Sequence, residues 1–154
     1  MKKDRIYYYI TLTRSPIILA PVVGAFYKAL PNSPKNILLS YLVLPLVLYP
    51  PSQKFLSKAR STSNLRTFCN YQDNILGLYQ RVNEFKTTTN QIVNDLISKQ
   101  YLKLCDDLSI EYCKDDSMPS KLEVEIKSAQ NLASIIFKSH DIPSIYRQLG
   151  IVKL

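Results

Sequence analysis

The chain has 154 residues, of which 46% are apolar; this supports one continuous hydrophobic core and a single domain over residues 1–154. Only three glycines are present, and no GxGxxG or GxxxxGK[ST] run occurs, which excludes the common glycine-rich phosphate loops. The formal net charge of +8 favours acidic partners such as nucleic acid, an acidic protein surface or anionic lipid.

The amino-terminal segment, residues 1–12, only weakly resembles a secretory signal. Asp4 interrupts it, Arg14 follows closely, and no AxA-like cleavage site ends it. The three cysteines, Cys69, Cys105 and Cys113, form no CxxC pair, so they predict neither a disulfide framework nor a zinc site. We expect reduced, buried and unreactive thiols in a cytoplasmic protein.

Two apolar segments, residues 16–30 and 37–49, come next. Both are shorter than the roughly 20 residues that a transmembrane helix needs, and both contain proline, so they predict a buried helical hairpin rather than a membrane anchor. Asn36 is expected to cap the second helix. A membrane-associated protein resting on these segments is the less favoured alternative.

Residues 52–66 form the most positive stretch of the chain and contain no acidic residue. We interpret its cations as contacts to a DNA backbone or to an acidic partner surface; they are Lys54, Lys58, Arg60 and Arg66. A solvated connector or a short helix with a charged face explains the same composition equally well.

Apolar spacing over 65–85 predicts an amphipathic helix or a broken pair, and Lys86–Thr89 predicts a break before a second helix. Alternating residues at 101–105 and 108–112 then predict a β-hairpin. Helix, turn, helix and hairpin are the order of a winged helix, which often reads DNA. Because Asp106-Asp107 at the hairpin tip would repel phosphates, a protein-binding module is favoured over a DNA reader.

The carboxy-terminal third predicts a helix over 121–139 and a short helix that Asp141 caps and Gly150 ends. His140 is the only histidine and lies at a helix boundary, so it is not expected to act as a general base. We therefore predict no catalytic residues, no cofactor and no metal ion.

These patterns together predict a mainly α fold. It comprises a helical hairpin and basic connector (13–66), a winged-helix-like part with a small β-hairpin wing (67–116) and carboxy-terminal helices (120–151).

Several sequence blocks resemble the middle component of bacterial ABC-three-component conflict systems, the group that includes Lamassu-type defence operons. The strongest block is Tyr41–Tyr49, YLVLPLVLY. The others, in chain order, are Thr13–Pro16, Ser52–Leu56, Ser63–Arg66, Tyr79–Val82, Thr87–Thr89 and Ile145–Ile151. The resemblance covers most of residues 13–151 and includes no catalytic motif.

This resemblance implies a set of partners. Middle components are encoded beside an SMC-like or Rad50-like ABC ATPase and an effector, often a nuclease, and act against phage or plasmid DNA. The chain is therefore expected to be a non-catalytic adaptor that binds the ATPase head region, with double-stranded DNA contacted through the complex and no membrane. An autonomous winged-helix DNA-binding transcriptional regulator is the alternative.

Tyrosine and arginine are enriched at the energetic centres of protein interfaces. On that ground we predict a set of protein contacts, which are Tyr79, Arg81, Tyr101, Tyr146 and Arg147.

Overall fold

The computed structural model describes residues 15–138 and 140–153. The signal-like segment 1–12 and the first two residues of the Thr13–Pro16 block lie outside the described residues.

The described chain is mainly α-helical with one two-stranded antiparallel sheet, as predicted. In chain order the elements are α1 (Pro16–Ala29), a 3-10 helix (Asn36–Leu39), α2 (Ser40–Val47), α3 (Pro50–Ser57), α4 (Leu65–Asn70), α5 (Gln72–Ile75), α6 (Leu78–Ser98), β1 (Leu102–Leu104), β2 (Ile110–Tyr112), α7 (Glu123–Asn131), a π-helical turn (Leu132–Ile136) and α8 (Ile142–Gln148). The first apolar helix and the β-hairpin are thus confirmed where the sequence places them.

Helix α1 is buried along most of its length, so neighbouring elements must cover it on several sides. Helices α2, α6 and α7 and strand β2 all pack against it. The apolar side chains that α1 contributes to the core include Leu19, Val22, Val23 and Phe26. None of the described helices combines the length and the apolar character needed to cross a bilayer. The assignment of residues 1–154 to one domain stays a prediction.

The carboxy-terminal end of α2 is held by side chains of the next helix. Ser52 Oγ donates to the carbonyl of Leu46, and Gln53 Nε2 donates to the carbonyl of Val47 at 3.1 Å. The last four carbonyl groups of an α-helix have no partner within it. These two hydrogen bonds therefore satisfy the end of α2 and fix the start of α3 against it.

The predicted break at Lys86–Thr89 is wrong, because residues 78–98 form one continuous helix, α6. A threonine lowers helix propensity by at most about 0.7 kcal/mol, whereas each large apolar side chain that α6 buries contributes about 1.5–3 kcal/mol. Thr89 itself continues the buried stripe of α6, which includes Leu78, Val82, Thr89, Ile92, Val93 and Leu96. The helix-turn-helix predicted around Lys86–Thr89 is therefore not formed there, and the hairpin follows a single long helix. The winged-helix-like character of residues 67–116 stays a prediction.

The β-hairpin is anchored to the connection between α1 and α2. The side chain of Asn36 accepts a hydrogen bond from the N–H of Ile110 at 2.6 Å and donates to its carbonyl at 3.3 Å, while the N–H of Lys35 donates to the carbonyl of Asp107 at 2.9 Å. The prediction that Asn36 caps a helix is wrong, since its amide is committed to the open edge of β2. The hairpin tip thus packs against the protein.

The carboxy-terminal helices follow the sequence pattern with one irregularity. Helix α7 continues into the π-helical turn at Leu132–Ile136, where the N–H of Phe137 reaches back to the carbonyl of Leu132. Asp141 caps α8 by accepting a hydrogen bond from the N–H of Ser144 at 3.3 Å, and Gly150 follows the helix with a φ of 77°. Both predicted boundary residues of α8 are confirmed.

Thr89 carries a hydroxyl that is buried without a hydrogen-bond partner among the described residues. A buried polar group without a partner costs free energy, so Thr89→Val, which keeps the shape and replaces the hydroxyl with a methyl group, should raise the free energy of unfolding by about 1 kcal/mol. Urea denaturation measures this change. The exposed Thr87 provides the control, because Thr87→Val should change stability by less than about 0.5 kcal/mol. A Thr89→Val variant no more stable than the parent would contradict the expectation.

Candidate partner-binding groove

Helix α3 presents two lysines at the surface because its opposite side is held inward. Leu56 is fully buried, and its carbonyl accepts a hydrogen bond from Asn131 Nδ2 of α7 at 2.8 Å. Lys54 and Lys58 are four residues apart and therefore lie on the same face of the chain as it leaves α3. Both are exposed, and neither side chain forms a hydrogen bond or an ion pair with a described residue.

The segment α4–α5 faces α3. Asn64 and Thr67 form a reciprocal capping box at the start of α4, with two hydrogen bonds of 2.9 Å. Asn74 Nδ2 donates to the carbonyl of Phe68 at 2.9 Å and so holds the bend between the two short helices. This bend leaves the ring of Tyr71 at the surface with 62% of its area exposed.

A groove of about 820 Å³ lies between α3 and the α4–α5 segment. Aromatic rings join its two sides: the ring centroid of Phe55 lies 5.3 Å from that of the buried Phe68 and 5.5 Å from that of Tyr71. Among the residues lining the groove are Pro51, Lys54, Phe55, Lys58, Asn70, Tyr71, Gln72 and Asp73. The groove therefore combines an aromatic surface with charged and amide side chains.

The two sides of the groove differ in charge. The α3 side carries the cations Lys54 and Lys58, whereas the other side carries the amides of Asn70 and Gln72 and one carboxylate, Asp73. The Asn70 and Gln72 side chains are exposed and make no hydrogen bond with a described residue. Such an arrangement can bind a segment that offers acidic groups on one side and hydrogen-bonding groups on the other.

The four predicted basic contacts do not form one patch around this groove. Lys54 and Lys58 line it, while Arg60 lies in the loop after α3 and Arg66 lies on α4, both exposed and outside the lining. The structure therefore brings two of the four together. Their part in binding stays a prediction.

The predicted protein contacts are dispersed over the surface. Tyr79 is 50% exposed and Arg147 is exposed on α8. Tyr101 is half-buried, with Lys114 Nζ 5.6 Å from its ring centroid. Tyr146 donates its hydroxyl to the carbonyl of Leu38, and burial raises the pKa of Tyr146 above its ordinary value.

Arg81, like Tyr146, donates hydrogen bonds to carbonyl groups inside the protein. Its Nε donates to the carbonyl of Pro45 at 3.2 Å, its Nη1 donates to the carbonyl of Leu76, and its guanidinium lies 3.6 Å from the ring centroid of Tyr49. Burial lowers the pKa of Arg81. The residue thus connects α6 to the ends of α2 and α5.

The three cysteines have different environments. Burial raises the pKa of the half-buried Cys69 thiol to about 11, so that at neutral pH it is almost entirely protonated and weakly nucleophilic. Cys105 is half-buried, whereas Cys113, just after β2, is exposed. The expectation that all three thiols are buried is therefore wrong for Cys113. Within residues 15–138 and 140–153, no group of His, Cys, Asp or Glu is arranged to hold a metal ion.

Sequence patterns did not identify the residues on the α4–α5 side of the groove. Tyr71 is separated from Phe55 in sequence, and no periodicity connects the two. The only available signal was the run Asn70–Asn74, where five polar or aromatic residues interrupt the apolar spacing. That run indicates a bend but does not predict which helix it faces.

These features define a small, mainly helical protein with a groove that has a basic side and an aromatic surface. The chain belongs to the family described as ABC-three component (ABC-3C) system Middle Component 3, whose model matches residues 4–153. This confirms the family that the order of the sequence blocks indicated. Searches of curated proteins and of solved structures found no match to the chain.

Proposed function

We propose that this chain is a non-catalytic adaptor subunit of a Lamassu-type defence complex. In this proposal it binds the head region of an SMC-like or Rad50-like ABC ATPase in the cytoplasm and links it to an effector nuclease that acts on phage or plasmid DNA. The observation that carries the proposal is the family match, which extends over residues 4–153 and so accounts for nearly the whole chain as a middle component.

The groove supports a binding role. Its rim offers the cations Lys54 and Lys58, which are not neutralised by any described residue, beside the exposed ring of Tyr71. Exposed tyrosine rings are typical of interface contacts, and charged groups at the rim of an interface guide the approach of the partner. Arg60 and Arg66 remain available for auxiliary contact with a DNA backbone once the complex has assembled.

Co-expression tests the proposal. The chain, the ABC ATPase and the effector encoded beside it are produced together, and an affinity tag is placed on the ATPase. We expect all three to co-elute in size-exclusion chromatography, and we expect the effector to be lost from the ATPase when the chain is omitted.

An ABC ATPase from an unrelated transporter, tagged in the same way, provides the control and should not retain the chain. Elution of the chain alone at micromolar concentration, in the presence of its neighbouring ATPase, would contradict the adaptor role. If the effector stays bound to the ATPase when the chain is omitted, the chain is not required to link the two.

A further inference from the structure

We infer that the groove between α3 and α4–α5 is the docking site for an acidic peptide segment of a partner subunit, with an aromatic or aliphatic side chain seated against Phe55 and Tyr71. The inference rests on the adaptor role proposed above and goes beyond it, because it names the surface and the chemistry of the segment that this surface binds.

Charge complementarity indicates an acidic segment. Lys54 and Lys58 lie on the same side of the groove, are exposed and have no ion-pair partner among the described residues, so an incoming carboxylate meets two cations with no competing anion bonded to them. Charged groups at the rim of an interface guide the approach and the orientation of the partner. We therefore expect an Asp or Glu of the partner to lie on the α3 side of the groove, next to Lys54 and Lys58.

The aromatic surface supplies the anchor. Contacts with the buried Phe68 and with each other hold the half-buried ring of Phe55 and the exposed ring of Tyr71 in place, so little conformational entropy is lost when a partner side chain packs on them. The groove encloses about 820 Å³, which leaves room for a large partner side chain. An aromatic or branched aliphatic side chain fits such a surface.

The remaining polar groups suit a polypeptide main chain. Asn70 and Gln72 each offer an amide that can donate and accept, which matches the alternating N–H and C=O groups of an extended peptide. A nucleic acid fits less well, because affinity for phosphates grows with the number of cations that neutralise them. Among the described residues only two cations line this groove, which are too few to neutralise the series of phosphates along a nucleic-acid backbone.

The first experiment measures assembly after charge reversal. In the co-expressed complex, the double variant Lys54→Glu and Lys58→Glu should weaken binding of the chain to its partner by about a hundredfold, since like charges then face each other across the contact. Tyr71→Ala should weaken it by about tenfold. The double variant Lys121→Glu and Lys127→Glu makes the same charge change at exposed positions outside the groove, and should alter affinity by less than about threefold.

The second experiment identifies what occupies the groove. Tyr71 is replaced by the photocross-linking residue p-benzoylphenylalanine, the assembled complex is irradiated, and the product is analysed by mass spectrometry. We expect a peptide from the ATPase or the effector that contains Asp or Glu near an aromatic or aliphatic residue. A nuclease-sensitive product, a peptide from a second copy of this chain, a peptide without acidic residues, or no cross-link in an intact complex would each overturn the inference.

The two proposals fail in distinguishable ways. If the unaltered chain forms no complex, the adaptor role fails and this inference fails with it. If the complex forms but the groove reversal behaves like the Lys121 and Lys127 control, the adaptor role stands and only the docking site is wrong. Each variant should still unfold in one cooperative thermal transition, because all of the substituted side chains are exposed.

Discussion

Asn36→Ala is expected to lower the free energy of unfolding by about 3 kcal/mol, because it removes the hydrogen-bond partners of two buried backbone groups of one residue. Asn36 is 1% exposed, and its amide satisfies the N–H and the carbonyl of Ile110, which is itself 2% exposed. Alanine would leave these two polar groups buried and unpaired. Urea denaturation measures the loss, and hydrogen exchange should show the N–H of Ile110 becoming less protected.

The matched control for Asn36 is Asn32. Its Nδ2 also bonds to the hairpin, reaching Glu111 Oε1 at 3.2 Å, but the contact is exposed to solvent. Water replaces such a bond at little cost, so Asn32→Ala should change stability by less than about 0.5 kcal/mol. Equal effects at the two positions would mean that Asn36 does not anchor the hairpin.

Arg81→Met should destabilise the protein by about 2 kcal/mol, because it removes charge-assisted hydrogen bonds to two carbonyls and a cation–π contact. The carbonyl of Pro45 belongs to the last turn of α2, where a cation is also favoured by the helix dipole. The loss of stability should be smaller than the sum of these contributions, since Arg81 Nη2 is buried without a hydrogen-bond partner among the described residues and methionine removes that cost. Chemical denaturation gives the magnitude.

Arg66 is the control for Arg81, because it is exposed and makes no side-chain hydrogen bond with a described residue. Arg66→Met should leave stability within about 0.5 kcal/mol of the parent. An Arg81→Met variant of parental stability that fails to bind the ATPase would instead support the predicted interface role. The two measurements therefore separate an internal connection from an external contact.

Local sequence patterns predicted most of the helical elements correctly. The predictions that were wrong have one common cause. Helix α1 and the hairpin follow directly from apolar spacing and alternation, and Asp141 and Gly150 mark the ends of α8. The predictions for the threonine run and for Asn36 were wrong because each relied on a local preference, for a break or for a cap, that packing overrides. In both cases a buried contact distant in sequence is worth more than the local preference.

The candidate groove was predicted only in part. Lys54 and Lys58 are conspicuous in the sequence because no acid lies near them. The α4–α5 side was missed, since Tyr71 becomes part of the groove only when Phe68 packs against Phe55 and Asn74 holds the bend. For Arg81 the sequence suggested a contact with a partner, whereas in the structure its side chain mainly contacts groups inside the protein.

The amino-acid sequence by itself determined the mainly helical character, the position of the hairpin and, through the order of its blocks, the family to which the chain belongs. These properties depend on neighbouring residues, whose spacing and preferences are visible in the chain. Only the tertiary structure decided that α6 is continuous, that Asn36 holds the edge of β2, and that α3 and α4–α5 enclose a groove. Each of these depends on contacts between distant segments, where the burial of side chains outweighs local conformational preference.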